Sequence, residues 1–207
     1  MHTTWPFFDI LAESSRLLRI RLYRSASMKK EWSPVDVLRH ARHDWLNRIQ
    51  LIKGNLDLNK IERVKQLISE IVLDAQAEAN LSNLRIPRFA ALILTSNWES
   101  FSFQVEFEVI NEVEVDLSVD DLLLADWTES YFTCLHTSID PYHNNHLSVT
   151  VETQNDGIRF FFDFSGIIRD KEKLQQFLDF NPFNELTVKV LEFSQQELAL
   201  EVFSPFR

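Results

Sequence analysis

Two runs of helical periodicity, one directly after the other, limit most strongly what this chain can fold into. On a wheel of about 100° per residue, Leu38, Ala41, Trp45, Ile49, Ile52 and Leu56 fall within about 40° of one line. A second run places Ile61, Val64, Leu67, Ile68, Ile71, Val72 and Ala75 at the same period. Ser33 followed by Pro34 is a helix start, with serine as N-cap and proline at the first helical position. Gly54-Asn55 is a stop signal, and Asn59 with Glu62 three residues on has capping-box spacing. The pattern predicts an antiparallel helical hairpin over residues 34–56 and 59–83. Its apolar stripes are wider than one partner helix can cover. At about 25 cal/mol per Å² of apolar surface, leaving them wet is unfavourable. A second copy of the hairpin, giving a dimeric four-helix bundle, is the expected remedy; packing on the rest of the chain is the alternative.

Beyond the hairpin the period changes. Pro87 opens a third helix running through Phe89, Leu92 and Trp98, and FQVEFEVI (103–110) then alternates as a strand does. Residues 118–140 return to helix, with Ser118 and Asp121 as a capping pair. Residues 146–154 and 158–164 flank Asn155-Asp156-Gly157 as a hairpin, a short helix covers 169–180, and strands lie near 186–194 and 198–203. The expected class is α+β, with helices against a mostly antiparallel sheet. Three segments follow: an extension over 1–30, the hairpin over 31–85 and an α+β domain over 86–207. The first, with WPFFDILAESSRLLRIRLYR, lacks the order of a secretory signal and reads as a weakly ordered extension.

Charge narrows the partners. The net charge is −10, but residues 1–60 hold 11 Lys and Arg against 6 Asp and Glu, while the remainder holds 10 against 25. So acidic a body argues against nucleic acid, whose phosphates need clustered cations. The basic face near residue 43 suits an acidic protein instead. One cysteine, Cys134, excludes an intrachain disulfide and reads as a small buried hydrophobe in a reducing compartment, here the cytoplasm. No stretch of 18 uninterrupted apolar residues occurs, so no membrane span is expected.

His43 is the residue with chemical promise. On the same wheel it lies at about 160° from Trp45, with Asn47, Gln50, Arg39 and Asp36 beside it on the polar side. It is not placed as a core histidine. A zinc pair with His40 is geometrically open, yet no further ligands complete a set at fixed spacing. An exposed histidine with no role is the plain alternative. Against it stands the company: Arg39, Arg42, Arg48 and Lys53 supply cations, and Asp44 can orient a ring proton or help dock a partner's metal. A neutral imidazole nitrogen accepts a phosphoryl group in line, given positioning and charge stabilisation.

The runs His43-Asp44-Trp45-Leu46-Asn47 and Leu51-Ile52-Lys53-Gly54-Asn55-Leu56 resemble the phosphoacceptor helix of the sporulation initiation phosphotransferase B family of endospore-forming bacilli. More loosely, they resemble the dimerisation helix of sensor histidine kinases. The similarity continues through LDAQAEANLSNL (73–84) and SNWESF (96–101). This resemblance implies a homodimer with His43 phosphorylated and a C-terminal domain shaped like a kinase ATPase domain. It implies relay of a phosphoryl group from the aspartate of one response regulator, through His43, to the aspartate of a second, in sporulation initiation. Arg39, Arg42, Asp44, Asn47 and Gln50 would meet the partner, whose own Mg²⁺ would serve the reaction. No cofactor of the chain's own is expected. A kinase ATP site needs a metal-binding Asn on a helix, a DxGxG turn and a Gly-rich lid, whereas this chain has three glycines, Gly54, Gly157 and Gly166. Asp163-Phe164-Ser165-Gly166 is a worn form of that turn, with Ile168 in place of its second glycine, and 127–140 contains no asparagine. An autophosphorylating histidine kinase core and a non-catalytic dimeric adaptor are the competing readings.

Overall fold

The computed structural model describes residues 32–111, 119–180 and 185–206. The expected extension over 1–30 and the expected cap Ser118 lie outside them. Helix α1 (Pro34–Asp57) starts as its sequence dictates: the Ser33 hydroxyl accepts from the Asp36 amide, and Pro34 occupies the first turn. Helix α2 (Ile61–Asn83) runs back along it.

The turn between them departs from expectation. Gly54 does not end the first helix but sits within it, with open space around its α-carbon. The chain reverses at Asn59 instead, where φ is 55°. Asn59 therefore is not an N-cap; Lys60 holds that position without a side-chain bond, and Glu62 pairs with Lys65 at 2.7 Å. Asparagine tolerates the left-handed conformation that closes a helix, and the Asn59 and Lys60 amides satisfy the carbonyls of Leu56 and Asn55.

Helix α3 (Pro87–Thr95) and a 3₁₀ turn (Ser96–Trp98) lead into β1 (Gln104–Asn111). Helix α4 (Asp121–Ser138) crosses to β2 (His146–Thr153), which turns at Asn155-Asp156 into β3 (Gly157–Ser165). Helix α5 (Lys171–Asp179), β4 (Thr187–Phe193) and β5 (Glu197–Pro205) complete the chain. The strands form one five-stranded sheet in the order β1-β2-β3-β5-β4. It is mixed, because β1 runs parallel to β2 while the other neighbouring pairs are antiparallel.

Two capping details differ from the sequence reading. Asp120 caps α4 by accepting from the Leu123 amide, and Asp121 does not. The Asp121 carboxylate reaches across to the first turn of α3, accepting from the Arg88 and Phe89 amides at 2.9 and 3.0 Å. One acid thus ties two helix starts together, where negative charge is favoured.

Strand alternation decides where the core sits. Leu147, Val149 and Val151 from β2, Phe160, Phe162 and Phe164 from β3, and Leu198, Leu200 and Val202 from β5 all face one side and are fully buried. Against them pack Phe89 of α3, Trp127 and Tyr131 of α4, and Phe177 of α5. Burying each large apolar side chain contributes about 1.5–3 kcal/mol, so this layer holds the body together. The hairpin is different. Helix α1 has no buried residue, and α2 buries Val64, Leu67 and Leu81. No helix of the described residues is long and apolar enough to cross a membrane.

Candidate phosphoacceptor site

His43 stands midway along α1 with its side chain 72% exposed. Exposure alone does not distinguish it, since Trp45, Leu46 and Ile49 are about half exposed too. Its hydrogen-bonding company does. Asn47, one turn on, brings its amide nitrogen Nδ2 to 3.2 Å from Nδ1, and an Asp44 carboxylate oxygen lies 3.4 Å from the same atom. Both contacts engage Nδ1, leaving Nε2 without a protein partner among the described residues. Because a carboxylate only accepts, its contact favours a proton on Nδ1 and a lone pair on Nε2. The Asn47 Nδ2 group donates only to an unprotonated Nδ1, so with the proton on Nδ1 the Asn47 amide turns over and presents its oxygen instead.

The other expected residues divide into two groups. Arg39, Arg42, Asn47 and Gln50 are exposed around His43, with Arg39 paired to Asp36 at 2.9 Å. Arg48 is committed elsewhere: its guanidinium spans the hairpin to Asp74 at 3.0 Å and lies 6.0 Å from the Trp45 ring centre. It staples α1 to α2 and is not free to meet an incoming phosphate.

His40 also has a different fate from the metal pairing considered above. Its ring stacks on Trp98 at 5.2 Å and meets the edge of Trp32 at 4.9 Å. Among the described residues no group of three or more His, Cys, Asp and Glu side chains is placed to hold a metal ion. Cys134 is buried, and that burial pushes its thiol up to about 11, so it offers no thiolate.

Sequence reasoning assigned Trp98 to an apolar helix position and missed its contact with this site. Its indole N–H donates to Asp44 at 2.9 Å, on the carboxylate oxygen opposite the one facing His43. No local pattern signals that contact, and Trp32 donates to Glu99 of the same SNWESF run at 2.8 Å.

The hairpin with its exposed imidazole and the α+β body each match a family model. Residues 25–84 match the family model described as sensor kinase SpoOB-type, alpha-helical domain. Residues 85–205 match the model described as sporulation initiation phospho-transferase B, C-terminal. The sporulation initiation phosphotransferase B of Bacillus subtilis (strain 168) is 34% identical over 170 residues, covering 81% of this chain and 88% of that protein. The chain belongs to the sporulation initiation phosphotransferase B family. Likeness to solved structures is lower. A bacterial phosphotransferase shares 14% identity over 85% of this chain and 100% of that one, with a TM-score of 0.36. The Acinetobacter baumannii histidine kinase AdeS shares 9% over 80% and 98%, with a TM-score of 0.41.

Proposed function

We propose that this chain is a phosphorelay phosphotransferase of sporulation initiation that carries a phosphoryl group on His43. The supporting observation is an imidazole held through Nδ1 while Nε2 has no partner among the described residues, in a chain with a relative named as a phosphotransferase. In the forward step the Nε2 lone pair attacks the phosphorus of a response regulator's phosphoaspartate. An N–P bond forms, the P–O bond breaks, and the aspartate leaves with the electron pair as a carboxylate. The Nδ1 proton stays on a ring that is now cationic, and Asp44 offsets that charge. Transfer to a second regulator reverses these changes.

Both bonds have high transfer potential, so the protein's contribution is mainly alignment. The regulator brings the Mg²⁺ that neutralises its own phosphate. Arg39, Arg42, Asp44, Asn47 and Gln50 form the docking face around His43. A homodimer fits the apolar stripe of α1, where Leu38, Trp45, Ile49 and Leu56 are all exposed in the single chain. We place the division between the hairpin and the body at residue 85.

Direct use of ATP is not part of this reading. Gly166 ends the segment that resembles a nucleotide-binding turn, yet an added Cβ there would overlap the Asn145 side-chain oxygen and lie 2.6 Å from Phe164. Asn145 in turn donates to the carbonyls of Ser102 and Asp140 and accepts from the Ile167 amide. The glycine makes room for the protein's own asparagine, which supports an internal packing role for the turn.

Incubating the protein with a phosphorylated, radiolabelled response regulator tests the proposal. Wild type is expected to take up label and His43→Ala to take up none while keeping its fold; a labelled His43→Ala protein refutes the assignment. Labelling from ATP without any regulator would favour the kinase reading.

A further inference from the structure

The contact from the body to the phosphoacceptor helix is built on a rigid support. In the 3₁₀ turn, the Ser96 hydroxyl is buried and donates to the Ile93 carbonyl at 2.6 Å. Asn97 clamps the same turn to β1 from both ends of its amide, donating to the Val105 carbonyl at 2.7 Å and accepting from the Val105 amide at 2.8 Å. Val105 is itself in register with Leu147 in the sheet. Trp98 extends from this anchored turn, its ring plane set by the stack on His40 and by the Trp32 edge 5.6 Å away. From there it reaches only one acceptor, the Asp44 carboxylate.

That carboxylate is divided between two partners. One oxygen takes the indole N–H at 2.9 Å, and the other faces His43 Nδ1 at 3.4 Å. An aspartate on an exposed helix face otherwise samples several rotamers and spends part of its time in water. A charged hydrogen bond from a fixed donor removes that freedom and points the second oxygen along the helix at the ring nitrogen. The proton on Nδ1 then determines which ring nitrogen carries the lone pair.

We infer that Trp98 is a positioning residue for phosphotransfer: anchored through Asn97 to the sheet, it holds Asp44 so that His43 keeps its proton on Nδ1 and its lone pair on Nε2. This rests on the reading of His43 as phosphoacceptor. In the transfer step the new bond forms between Nε2 and phosphorus, the bond to the regulator's carboxylate oxygen breaks, and that oxygen keeps the electron pair. No proton need leave the ring. Asp44, already aligned, meets the positive charge as it develops, and Trp98 touches neither phosphorus nor nucleophile.

Trp98→Phe tests this, because phenylalanine keeps a ring against His40 and loses only the N–H. The transfer rate within the docked complex is expected to fall roughly tenfold, the scale of one hydrogen bond to a charged group, with the regulator concentration at half-maximal rate unchanged. In nitrogen-15 spectra of the unphosphorylated protein, His43 is expected to shift from the Nδ1–H toward the Nε2–H tautomer. Asp44→Ala should give the same tautomer shift, and adding Trp98→Phe to it should cost nothing more. Incorporating β-(3-benzothienyl)alanine at position 98, which keeps the bicyclic shape without a donor, gives the same readouts should the phenylalanine variant fail to fold. Unchanged rate and tautomer in a folded donorless variant, or a further loss on top of Asp44→Ala, would overturn the inference. Failure of the functional reading looks different: wild type itself would take no label at His43, while the tautomer measurement would still report on Trp98.

Discussion

Single residues in this chain are informative where two groups compete for one atom. His136 of α4 is such a case, since its Nδ1 accepts the Ser102 amide at 3.0 Å and so must stay unprotonated, and burial pulls its pKa below the usual imidazole range. The folded protein thus binds fewer protons at this site than the unfolded chain. Its contribution to stability is complete above the ordinary imidazole pKa and is lost as pH falls from there through the lowered value of the folded state. The melting temperature is expected to drop as pH falls below about 6.5, and His136→Gln, which keeps an acceptor without a titration, to flatten that slope. An identical slope in the two proteins would show that this histidine does not carry it. Asp140 acts in the same sense at lower pH: the Tyr142 amide, together with Arg169 and His143, holds its carboxyl below the ordinary carboxylate range against the opposing effect of burial. The polar placement of His43 was legible from the helical wheel, because angle along a helix is fixed by spacing. Trp98 was not legible there, because its partner Asp44 lies 54 residues away and no local pattern encodes that meeting.

Among the elements, the strands and the proline-marked starts of α1 and α3 were readable for a physical reason. Alternation places every second side chain on one face, and β2, β3 and β5 obey it through their buried Leu, Val and Phe residues. The turn of the hairpin was misread because glycine and asparagine are both stop signals, and the chain used the later one; Gly54 stayed helical while Asn59 took the left-handed position. Asp121 was misread because a carboxylate next to its own helix start serves equally well at a neighbour's, and only packing decides between them. The wide apolar stripe was legible too, and it carries a prediction at this scale. Ile49 lies within the α1 stripe and is exposed in the single chain. Ile49→Glu should convert a dimer to a monomer in sedimentation equilibrium while leaving the melting of the α+β body in place. A monomeric wild type would remove the reason for the stripe, and a dimeric variant would place the interface elsewhere.

For the whole molecule, the hairpin and the body divide the work. The body has the dense core, built on Phe89, Trp127, Phe160 and Phe162, while the hairpin has long solvent-facing helices and the exposed imidazole of His43. In our account the body serves as a scaffold: its sheet anchors the 3₁₀ turn, the turn holds Trp98, and Trp98 aligns Asp44 beside His43. In the proposed reading, Arg39 and Arg42 beside His43 draw a regulator's acidic pocket to α1, and the acidic residues 61–207, with 25 Asp and Glu against 10 Lys and Arg, repel it. Locating the phosphate tests the central claim most directly. Cleavage after Arg42 and Arg48 releases His43-Asp44-Trp45-Leu46-Asn47-Arg48, a fragment whose one histidine is His43. After brief exposure to a phosphorylated regulator and digestion at alkaline pH, mass spectrometry is expected to find the phosphoryl group on that fragment. Phosphate on any other fragment, or on none while the regulator loses its own, would contradict the account.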